Sequence, residues 1–484
     1  MCSLKPHVNM EIKQRMSKRY GWLLGIVVLV TIGLLVACGS SYNSSSDGLL
    51  LVGSQGSGLI ETFSFNLFNG HVSAIENTPT NTSSQVCVLN GVPTSIVVNP
   101  AGTFAYAIIN ARSDCPNSKT GILTFKINSN GTTTVTGSLA PFNNESVLIL
   151  GTTTPVSAPV VPGQMVMDPA GKFLFVADRT TTTPEIRQSP PPPAPPLGPY
   201  LYLPGAVSVF AIGSGGSLTE VTGSPFFTTG TTNPPTTVSQ SSLDIVSVAP
   251  TPTVFPAIGV NGVQNAVCSA PGISPPTTQY LYAVDGLGNQ VFEFQVNTSS
   301  GALTNPSTLS SVPSFPTDQT PAGVAVDPCN RFVYVSDSLT NKVSAYTICN
   351  GSPTQATTCT TLQQPGALVQ VTGSPFSLSG STNPGPLVVD PYGNNVYVLG
   401  TDSNTVSPLK ISPISGSVTP LTPATVATGL QPVAMTIRGD DNWLFVSNYN
   451  AATVSQYSIT PATGQLSVQP TIPTDNYPWG VAVK

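Results

Sequence analysis

Side chains able to carry out acid–base or metal chemistry are scarce in this sequence. After residue 37 there is one histidine, His71, and there is no Ser-His-Asp set, zinc-binding cluster or phosphate-binding glycine loop. A hydrolase needs a general base together with an electrophile or a metal. No residue is therefore assigned a catalytic role, no metal or cofactor is expected, and the sequence leaves open whether the protein is an enzyme.

The clearest chemical signal lies near the N-terminus. A basic stretch is followed by the apolar run 22–37 and then by Cys38, within the segment LVACGS. This order resembles a bacterial lipoprotein signal, whose cysteine is diacylated and becomes the first residue of the mature chain. We therefore predict a signal peptide over 1–37, starting at Met1 or Met16, and lipidation at Cys38. An uncleaved anchor is the alternative, although 16 apolar residues are few for a membrane span.

Composition places the rest of the chain outside the cytoplasm. Only 8% of the residues are charged, and there are 48 prolines and 43 glycines, as is typical of β-rich, loop-rich extracytoplasmic proteins. Residues 38–47 are polar and predict a flexible tether to the membrane. Without residues 1–37, 11 Lys+Arg stand against 20 Asp+Glu, a net charge of about −9, which argues against a nucleic-acid partner.

One structural unit recurs along the chain. PTSIVVNPAGTFAYAIIN (93–110), PAGVAVDPCNRFVYVSD (321–337) and GPLVVDPYGNNVYVLGTD (385–402) each give a narrow strand, a tight turn and a second strand with an aromatic residue. Alternating third and fourth strands follow, as in NKVSAYTI (341–348). Four antiparallel strands joined by Asx-Pro and glycine turns predict a propeller blade.

The two ends of the chain indicate how these blades close into a ring. Residues 478–483, PWGVAV, copy the inner strand PAGVAV of 321–326, but no second strand follows them. The segment after residue 47 begins instead with a second and a third strand. The ends are therefore predicted to complete one blade, which hides both sheet edges. The fold class is all-β, a seven-bladed propeller over 48–484, with units near 48–77, 93–142, 162–226, 243–308 (the least regular), 321–376, 385–421 and 432–470.

Two motifs within these blades resemble a known family. VYVSDSLTNKVSAY (333–346) and the twice-used VTGSPF (221–226 and 371–376) are similar to the seven-bladed lactonase-like propellers. That family includes 6-phosphogluconolactonase-type enzymes and surface proteins with YVTN repeats. The resemblance implies the architecture and suggests lactone hydrolysis, but the matching motifs build blades and none of them is catalytic.

Recurring polar and aromatic residues are interpreted as structural. In four blades an Asx residue precedes proline in the first turn, where its side chain can accept hydrogen bonds from turn amides. Aromatic residues recur on the second strands, where they would fill the space between neighbouring blades. The Asx residues are Asn99, Asp168, Asp327 and Asp390, and the aromatic residues are Tyr106, Phe175, Tyr282, Tyr334, Tyr397 and Phe445.

Polar residues also end the second strands. If the inner strands run from a top face to a bottom face, the second-to-third-strand loops lie on the top face, where propellers commonly bind ligands. The top-face ligand candidates are Asn110, Asp178, Arg179, Asp285, Asp337, Asn448 and Tyr449, with Asp402 at the same rim. Capping of the hairpin turns is the alternative role for these side chains.

Six cysteines remain in an expected oxidising compartment, an even number that favours disulfides. Cys349 and Cys359 flank one hairpin and are expected to pair. Cys87 and Cys115 fall on the top face and Cys268 and Cys329 on the bottom face, which predicts the pairs 87–115 and 268–329. Free buried thiols or a metal site are the alternatives, and the absence of a nearby histidine disfavours a metal.

A proline-rich insertion, residues 180–204, predicts a stiff projecting arm with Tyr200 and Tyr202 as contact residues. We therefore expect a lipid-anchored, monomeric propeller of the cell envelope, on the periplasmic face or the outer surface. It would bind or scaffold an envelope protein or carbohydrate through its top face. A lactone hydrolase acting on a sugar lactone is the alternative function.

Overall fold

The computed structural model describes residues 47–75, 89, 91–112, 118–148, 155–158, 160–179, 205–228, 244–252, 278–306, 312–349, 359 and 364–484. The chain divides into residues 1–41 and 42–484, and every described residue belongs to the second unit. The predicted signal peptide, Cys38, Cys87, Cys115, Cys268 and the arm with Tyr200 and Tyr202 lie outside the described residues. Within these ranges no helix is long and apolar enough to cross a membrane.

Seven antiparallel sheets form the described part of the fold, one for each blade. Short apolar strands separated by tight turns favour this arrangement, because both faces of each sheet are covered by its neighbours. From the first blade to the seventh, the innermost strands are Pro478–Val483, Val92–Val98, Val161–Met167, Ile245–Pro250, Pro321–Val326, Pro384–Val389 and Pro432–Ile437. The second strands are Asp47–Ser54, Phe104–Asn110, Phe173–Arg179, Gln279–Asp285, Phe332–Asp337, Asn395–Gly400 and Trp443–Asn448. The third strands are Leu59–Asn66, Gly121–Ile127, Ala206–Ile212, Gln290–Val296, Lys342–Ile348, Thr405–Ile411 and Thr453–Thr460.

The outer edge of each blade is short. The fourth strands are Val72–Ala74, Thr133–Pro141, Leu218–Glu220, Leu303–Thr304, Leu368–Gln370, Val418–Pro420 and Gln465–Val468. Blades three to seven add a fifth strand that returns to the third strand, a feature that the four-strand prediction did not include; these are Phe226–Phe227, Ser314–Pro316, Phe376–Ser377, Val426–Ala427 and Ile472–Pro473. A separate hairpin pairs Glu145–Leu148 with Pro155–Ala158, and 3-10 turns span Ser214–Gly216 and Tyr449–Ala451.

The repeated VTGSPF segment forms the passage to the fifth strand in blades three and five. After Val221 the chain leaves the edge, and Ser224 Oγ accepts a hydrogen bond of 3.0 Å from Val209 N on the third strand. In the fifth blade Ser374 Oγ does the same for Ala345 N, at 2.8 Å. The serine hydroxyl thus replaces a ladder hydrogen bond where the edge strand is interrupted, and the phenylalanine that follows resumes the pairing.

The chain ends close the ring as predicted. Pro478–Val483 pairs antiparallel with Asp47–Ser54, with Val52 opposite Val481 and Leu50 opposite Val483. Consecutive innermost strands lie side by side around the whole ring, including the neighbours of Pro478–Val483. The closing blade therefore combines residues from both ends of the described propeller, and its inner strand has no free edge toward its own blade.

The bottom face carries the turns between the first and second strands, and their Asx residues act as expected. Asn99 Oδ1 accepts hydrogen bonds from the amides of Thr103 and Phe104, at 2.8 and 2.9 Å. Asp168 Oδ1 accepts from the amides of Lys172 and Phe173, at 2.5 and 2.7 Å. These side chains satisfy turn amides that the ladder leaves unpaired, so their role is structural.

The aromatic residues of the second strands pack between blades, and three of them also tie the blades together. The hydroxyls of Tyr282, Tyr334 and Tyr397 donate to the carbonyls of Gly366, Gly416 and Gly464 in the next blade, at 2.6, 3.0 and 2.9 Å. Phe445 has no hydroxyl. Gln456, directly opposite it on the third strand, donates instead to Gly70 O of the closing blade at 2.9 Å. In the seventh blade a glutamine therefore makes the hydrogen bond between blades that a tyrosine makes in blades four, five and six.

Candidate functional site

Four of the predicted top-face residues are buried within their turns. Asp178, Asp285, Asp337 and Asn448 have at most 1% of their surface exposed. Ser344 Oγ donates to Asp337 Oδ2 at 2.8 Å, and Asp285 Oδ1 accepts from the amides of Leu287 and Gly288 at 3.0 and 2.9 Å. Asp285 therefore caps its own turn, while Asp178 and Asp337 bond to serines of the third strand, and all four side chains are buried in this structure.

The other three predicted residues lie nearer to solvent. Arg179 pairs with Asp244 of the fourth blade, with 3.2 Å between Nη2 and Oδ2, and its side chain is 38% exposed. Asn110 ends a second strand and is half-buried, as is Tyr449 in the turn after Trp443–Asn448. Asp402 accepts a hydrogen bond of 3.1 Å from Asn383 Nδ2 at the same face. The structure therefore distributes the predicted residues around the rim and does not gather them at one point.

A regular feature of the top face was not predicted from the sequence. Each of the seven innermost strands has a shift of register near its first residue. Such a bulge leaves its extra residue outside the ladder and re-aims the side chain. Because the free edge of an innermost strand borders the central channel, these residues surround the top mouth of the channel. They are Trp479, Thr94 and Ser95, Gly163 and Gln164, Val246, Ala322, Gly385 and Pro386, and Val433.

One side of this mouth carries an aromatic cluster, which we define as Tyr449, Tyr477 and Trp479. The ring of Tyr449 lies 4.9 Å from that of Tyr477 and 5.3 Å from that of Trp479, centroid to centroid, the second contact being edge-to-face. Tyr477 is 47% exposed and Trp479 is 37% exposed. Exposed apolar side chains that lie together on a surface often mark an interaction site, so the cluster is a candidate contact surface.

The backbone around the aromatic cluster is firmly held. Tyr477 has a left-handed conformation, with φ of 60°, which is uncommon for a bulky residue and costs on the order of 1–2 kcal/mol. Gln55 N donates to Tyr477 O at 2.9 Å, and Ser447 Oγ donates to Trp479 O at 2.8 Å. The second-to-third-strand loop of the closing blade and the second strand of the seventh blade thus fix the cluster from both sides. The rings are presented on a rigid support.

Two charged residues border the aromatic cluster. Glu61 accepts hydrogen bonds from Ser54 Oγ at 2.6 Å and from Asp475 N, two residues before Tyr477, at 3.1 Å. Burial raises the pKa of the Glu61 carboxyl above its usual value, against the lowering effect of these hydrogen bonds. Arg112 Nη1 donates to Gln55 O at 3.1 Å, on the same loop that holds Tyr477. An acidic and a basic side chain are therefore hydrogen-bonded to the two segments that carry and hold Tyr477.

The part of the chain that the structure describes contains one histidine, His71. No group of three or more His, Cys, Asp or Glu side chains there is placed to hold a metal ion. His71 is exposed in the turn between the third and outer strands of the closing blade, which places it on the bottom face. It therefore lies on the face opposite the aromatic cluster.

The cysteines on the bottom face include one described pair. Cys349 and Cys359 form a disulfide, with 1.99 Å between the sulfur atoms and 5.6 Å between the Cα atoms. Cys329 is also disulfide-bonded, while its expected partner Cys268 lies outside the described residues. The predicted pair of Cys87 and Cys115 lies outside them entirely.

The signal for the aromatic cluster was present in the repeat. When PWGVAV is aligned with PAGVAV, Trp479 takes the place of Ala322, and both occupy the bulge. The aromatic residue is thus an exception at a position where the fifth blade carries a small side chain. From the sequence alone Trp479 could not be recognised as a contact residue, because the sequence does not show that residue 479 lies in a bulge facing the mouth of the channel.

Comparisons with known proteins agree with this fold. The family described as "Lactonase, 7-bladed beta-propeller" matches residues 273–369 and 369–478. A provisionally assigned 6-phosphogluconolactonase of Bacteroides fragilis is similar in structure, with a TM-score of 0.59 at 16% identity, covering 92% of this chain and 99% of its own. The periplasmic gluconolactonase of Pseudomonas aeruginosa is similar with a TM-score of 0.56 at 16% identity, and the match covers 90% of this chain and 99% of that protein. A protein of Lactobacillus plantarum has a TM-score of 0.57 at 15% identity, and this match also covers 90% of this chain and 99% of that protein.

No curated protein matches the sequence. Identities of 15–16% show a shared fold and do not carry an activity from one protein to another. The resemblance inferred from the repeated motifs is confirmed: in the sequence of residues 273–478 and in the fold of its blades, this chain is similar to the seven-bladed lactonase β-propellers.

Proposed function

We propose that this protein binds a carbohydrate at the top mouth of its channel, with the aromatic cluster packed against the sugar ring. The observation that carries this proposal is the cluster itself. The ring of Tyr449 contacts those of Tyr477 and Trp479, which are 47% and 37% exposed at the mouth. A sugar ring has an apolar C–H face that packs on an aromatic ring, while its hydroxyls need polar partners nearby.

Polar partners of this kind border the aromatic cluster. Glu61 supplies carboxylate oxygens and Arg112 supplies guanidinium donors, both on segments hydrogen-bonded to the loop that fixes Tyr477. Hydroxyl groups of a sugar can bond to both kinds of group, which would orient the ring on the cluster. A monosaccharide of about twelve heavy atoms at roughly −0.3 kcal/mol per atom binds with a Kd of about 1 mM, so multivalent or longer glycans are the more suitable ligands.

The proposed location is the cell envelope, with the chain tethered through a lipid on Cys38. The support is the order of basic stretch, apolar run and cysteine in residues 1–38, together with the Cys349–Cys359 disulfide, which is typical of an oxidising compartment. A lipid tether would keep the protein at the membrane, among the glycans and proteins of the envelope. The proline-rich arm of residues 180–204 remains a proposed contact for a protein partner.

Lactone hydrolysis is the second candidate, favoured by the family match over residues 273–478. A sugar lactone is itself a carbohydrate ring, so the same mouth would receive it. Glu61 is then the proposed general base, because burial raises the pKa of its carboxyl toward the range useful for proton transfer. Under this alternative the aromatic cluster positions the lactone ring and Glu61 activates a water.

The experiment is a panel test on the full-length protein purified in detergent. Glucono-δ-lactone, neutral monosaccharides, amino sugars and their oligomers are titrated by calorimetry, and lactone hydrolysis is followed with and without a divalent metal. The proposal expects heat of binding with at least one sugar class and no hydrolysis above the spontaneous rate. Hydrolysis that is lost in Glu61→Gln establishes the second candidate, and no binding and no hydrolysis across the panel would overturn both.

A further inference from the structure

The bottom-face hairpins of neighbouring blades meet in a repeated way. At two meeting points, a glycine with left-handed backbone in one hairpin faces the residue that directly follows the inner strand of the preceding blade. Between blades one and two, Gly102 faces Lys484. Between blades five and six, Gly393 faces Asp327, and a Cβ added to Gly393 would overlap Asp327 Oδ1. In the seventh blade the left-handed residue is Asp441, with φ of 57°.

The charge at the meeting point of blades five and six is balanced. Arg331 lies four residues after Asp327. Its Nε donates a hydrogen bond to Asp327 Oδ2 at 2.8 Å, and its Nη2 donates to Asp327 Oδ1 at 2.7 Å. Its Nη2 also donates to Gly393 O of the next blade at 2.8 Å. The buried carboxylate therefore has a buried cation beside it.

At the meeting point of blades six and seven this cation is missing among the equivalent residues. Asp390 takes the place of Asp327, and Asn394, a neutral residue, takes the place of Arg331. The left-handed position is not glycine but Asp441, so its side chain points where the Gly393 Cβ would point, at the carboxyl of the preceding blade. Asp390 and Asp441 are both 0% exposed. Two buried carboxyls are thus brought together.

Several oxygen atoms at this point lack partners. Asp441 Oδ1 and Oδ2 are both buried without a hydrogen bond. Asn395 Nδ2 donates to Asp390 Oδ2 at 2.6 Å, while the Oδ1 atom of the same amide is also buried and unpartnered. Buried polar atoms without partners are rare in proteins and commonly indicate a bound ion or water.

The surrounding charges do not remove the excess of negative charge. Lys410, opposite Asn395 on the third strand, is half-buried and attracts both carboxylates. Arg438 is paired with Asp440. Two carboxylates against one ammonium leave one net negative charge at this meeting point. The pair needs either a proton or a further cation.

We propose that Asp390, Asp441 and the Asn395 amide oxygen form a calcium site that joins the sixth and seventh blades. Asp390 Oδ1 already accepts hydrogen bonds from the amides of Tyr392 and Asn394, at 3.0 and 2.9 Å, so Asp390 would bind the ion through Oδ2, beside the unpartnered oxygens of Asp441 and Asn395. These ligands are all carboxylate and amide oxygens, which suits a hard cation and disfavours zinc. Calcium also accepts backbone and water oxygens in a flexible geometry. Because only two carboxylates contribute, the expected Kd is about 10⁻⁴–10⁻³ M, the range of extracellular modules.

The test is a thermal melt of the full-length protein after removal of metals with a chelator. Calcium chloride up to about 10 mM, well above the expected Kd, should raise the melting midpoint of the wild type by a few degrees in a saturable way. Magnesium at the same ionic strength should give a smaller shift, because it demands stricter octahedral geometry. Asp441→Gly should fold, since glycine suits the left-handed backbone, and should lose the calcium shift.

Asp402→Asn, which removes a carboxylate from the opposite face, is the matched control and should keep the calcium shift. A calcium shift that persists in Asp441→Gly would place the ion elsewhere and overturn the proposal. If calcium changes nothing in the wild type, while Asp441→Gly abolishes a loss of stability between about pH 5 and pH 8, the two carboxyls share a proton and the proposal is also wrong.

Discussion

Replacing Arg331 with methionine tests the account of the bottom-face contacts most severely. The side chains of Arg331 and Asp327 are 5% and 0% exposed, and the guanidinium makes two hydrogen bonds to the carboxylate and two to carbonyls of the next blade. Methionine keeps the apolar stem but leaves the Asp327 carboxylate buried without its cation. Breaking a buried pair in this way costs about 3–5 kcal/mol of the free energy of unfolding.

The assay is urea unfolding of the full-length protein, followed by tryptophan fluorescence and compared at constant m-value. Lys342→Met is the matched control, because Lys342 and Asp318 form a salt bridge whose side chains are 34% and 19% exposed. Breaking this pair should lower the free energy of unfolding by only about 0–1 kcal/mol. The double variant Asp327→Asn with Arg331→Met should recover part of the loss, since the buried charge is then gone. If Arg331→Met costs no more than Lys342→Met, the reasoning about this contact is refuted.

Three further predictions follow from the fold and the sequence. Deleting residues 478–484 removes the inner strand of the closing blade and should lower the melting midpoint strongly or cause aggregation; an unchanged midpoint would contradict ring closure. Burial raises the pKa of Glu293 to about 8, so folding favours its protonated form and stability should fall as the pH rises from about 5 to 8. In differential scanning fluorimetry the melting midpoint of Glu293→Gln should fall less steeply with pH than that of the wild type. Equal slopes of midpoint against pH would count against the buried acid. Intact-mass measurement should find a diacyl group on the protein that Cys38→Ala lacks, and an unmodified wild-type mass would disprove the proposed lipid anchor.

Much of the architecture could be predicted because it repeats. The motif of strand, Asx-Pro turn and aromatic strand specified the blades, and the hydrogen bonds to Asn99 and Asp168 confirm the structural interpretation of the Asx residues. The aromatic packing was predicted as well, but the hydroxyl ties of Tyr282 and its equivalents were not. Those bonds join residues far apart in sequence, across a contact between blades that only the assembled ring creates.

The candidate site was harder to predict for the same reason. Asp285 and Asp337 were placed correctly at the ends of second strands, but their burial depends on how each loop folds back on itself. The aromatic cluster brings Tyr449 of the seventh blade against Tyr477 and Trp479 of the closing segment. Residue types alone indicate neither the bulge that exposes Trp479 nor the left-handed backbone at Tyr477, so the sequence pointed to Tyr449 at the rim and missed the other two residues of the cluster.

The most direct test of the proposed function is the affinity of Trp479→Ala for the sugar that the wild type binds best in the panel. Loss of an exposed stacking ring at the centre of a contact should weaken binding by about 10-fold or more, at 1.4 kcal/mol for each factor of ten. Phe68→Ala, which removes an 89% exposed ring from a bottom-face turn, should leave the affinity unchanged. Equal affinities for the wild type and Trp479→Ala would show that the aromatic cluster is not the binding surface and would contradict the proposed function.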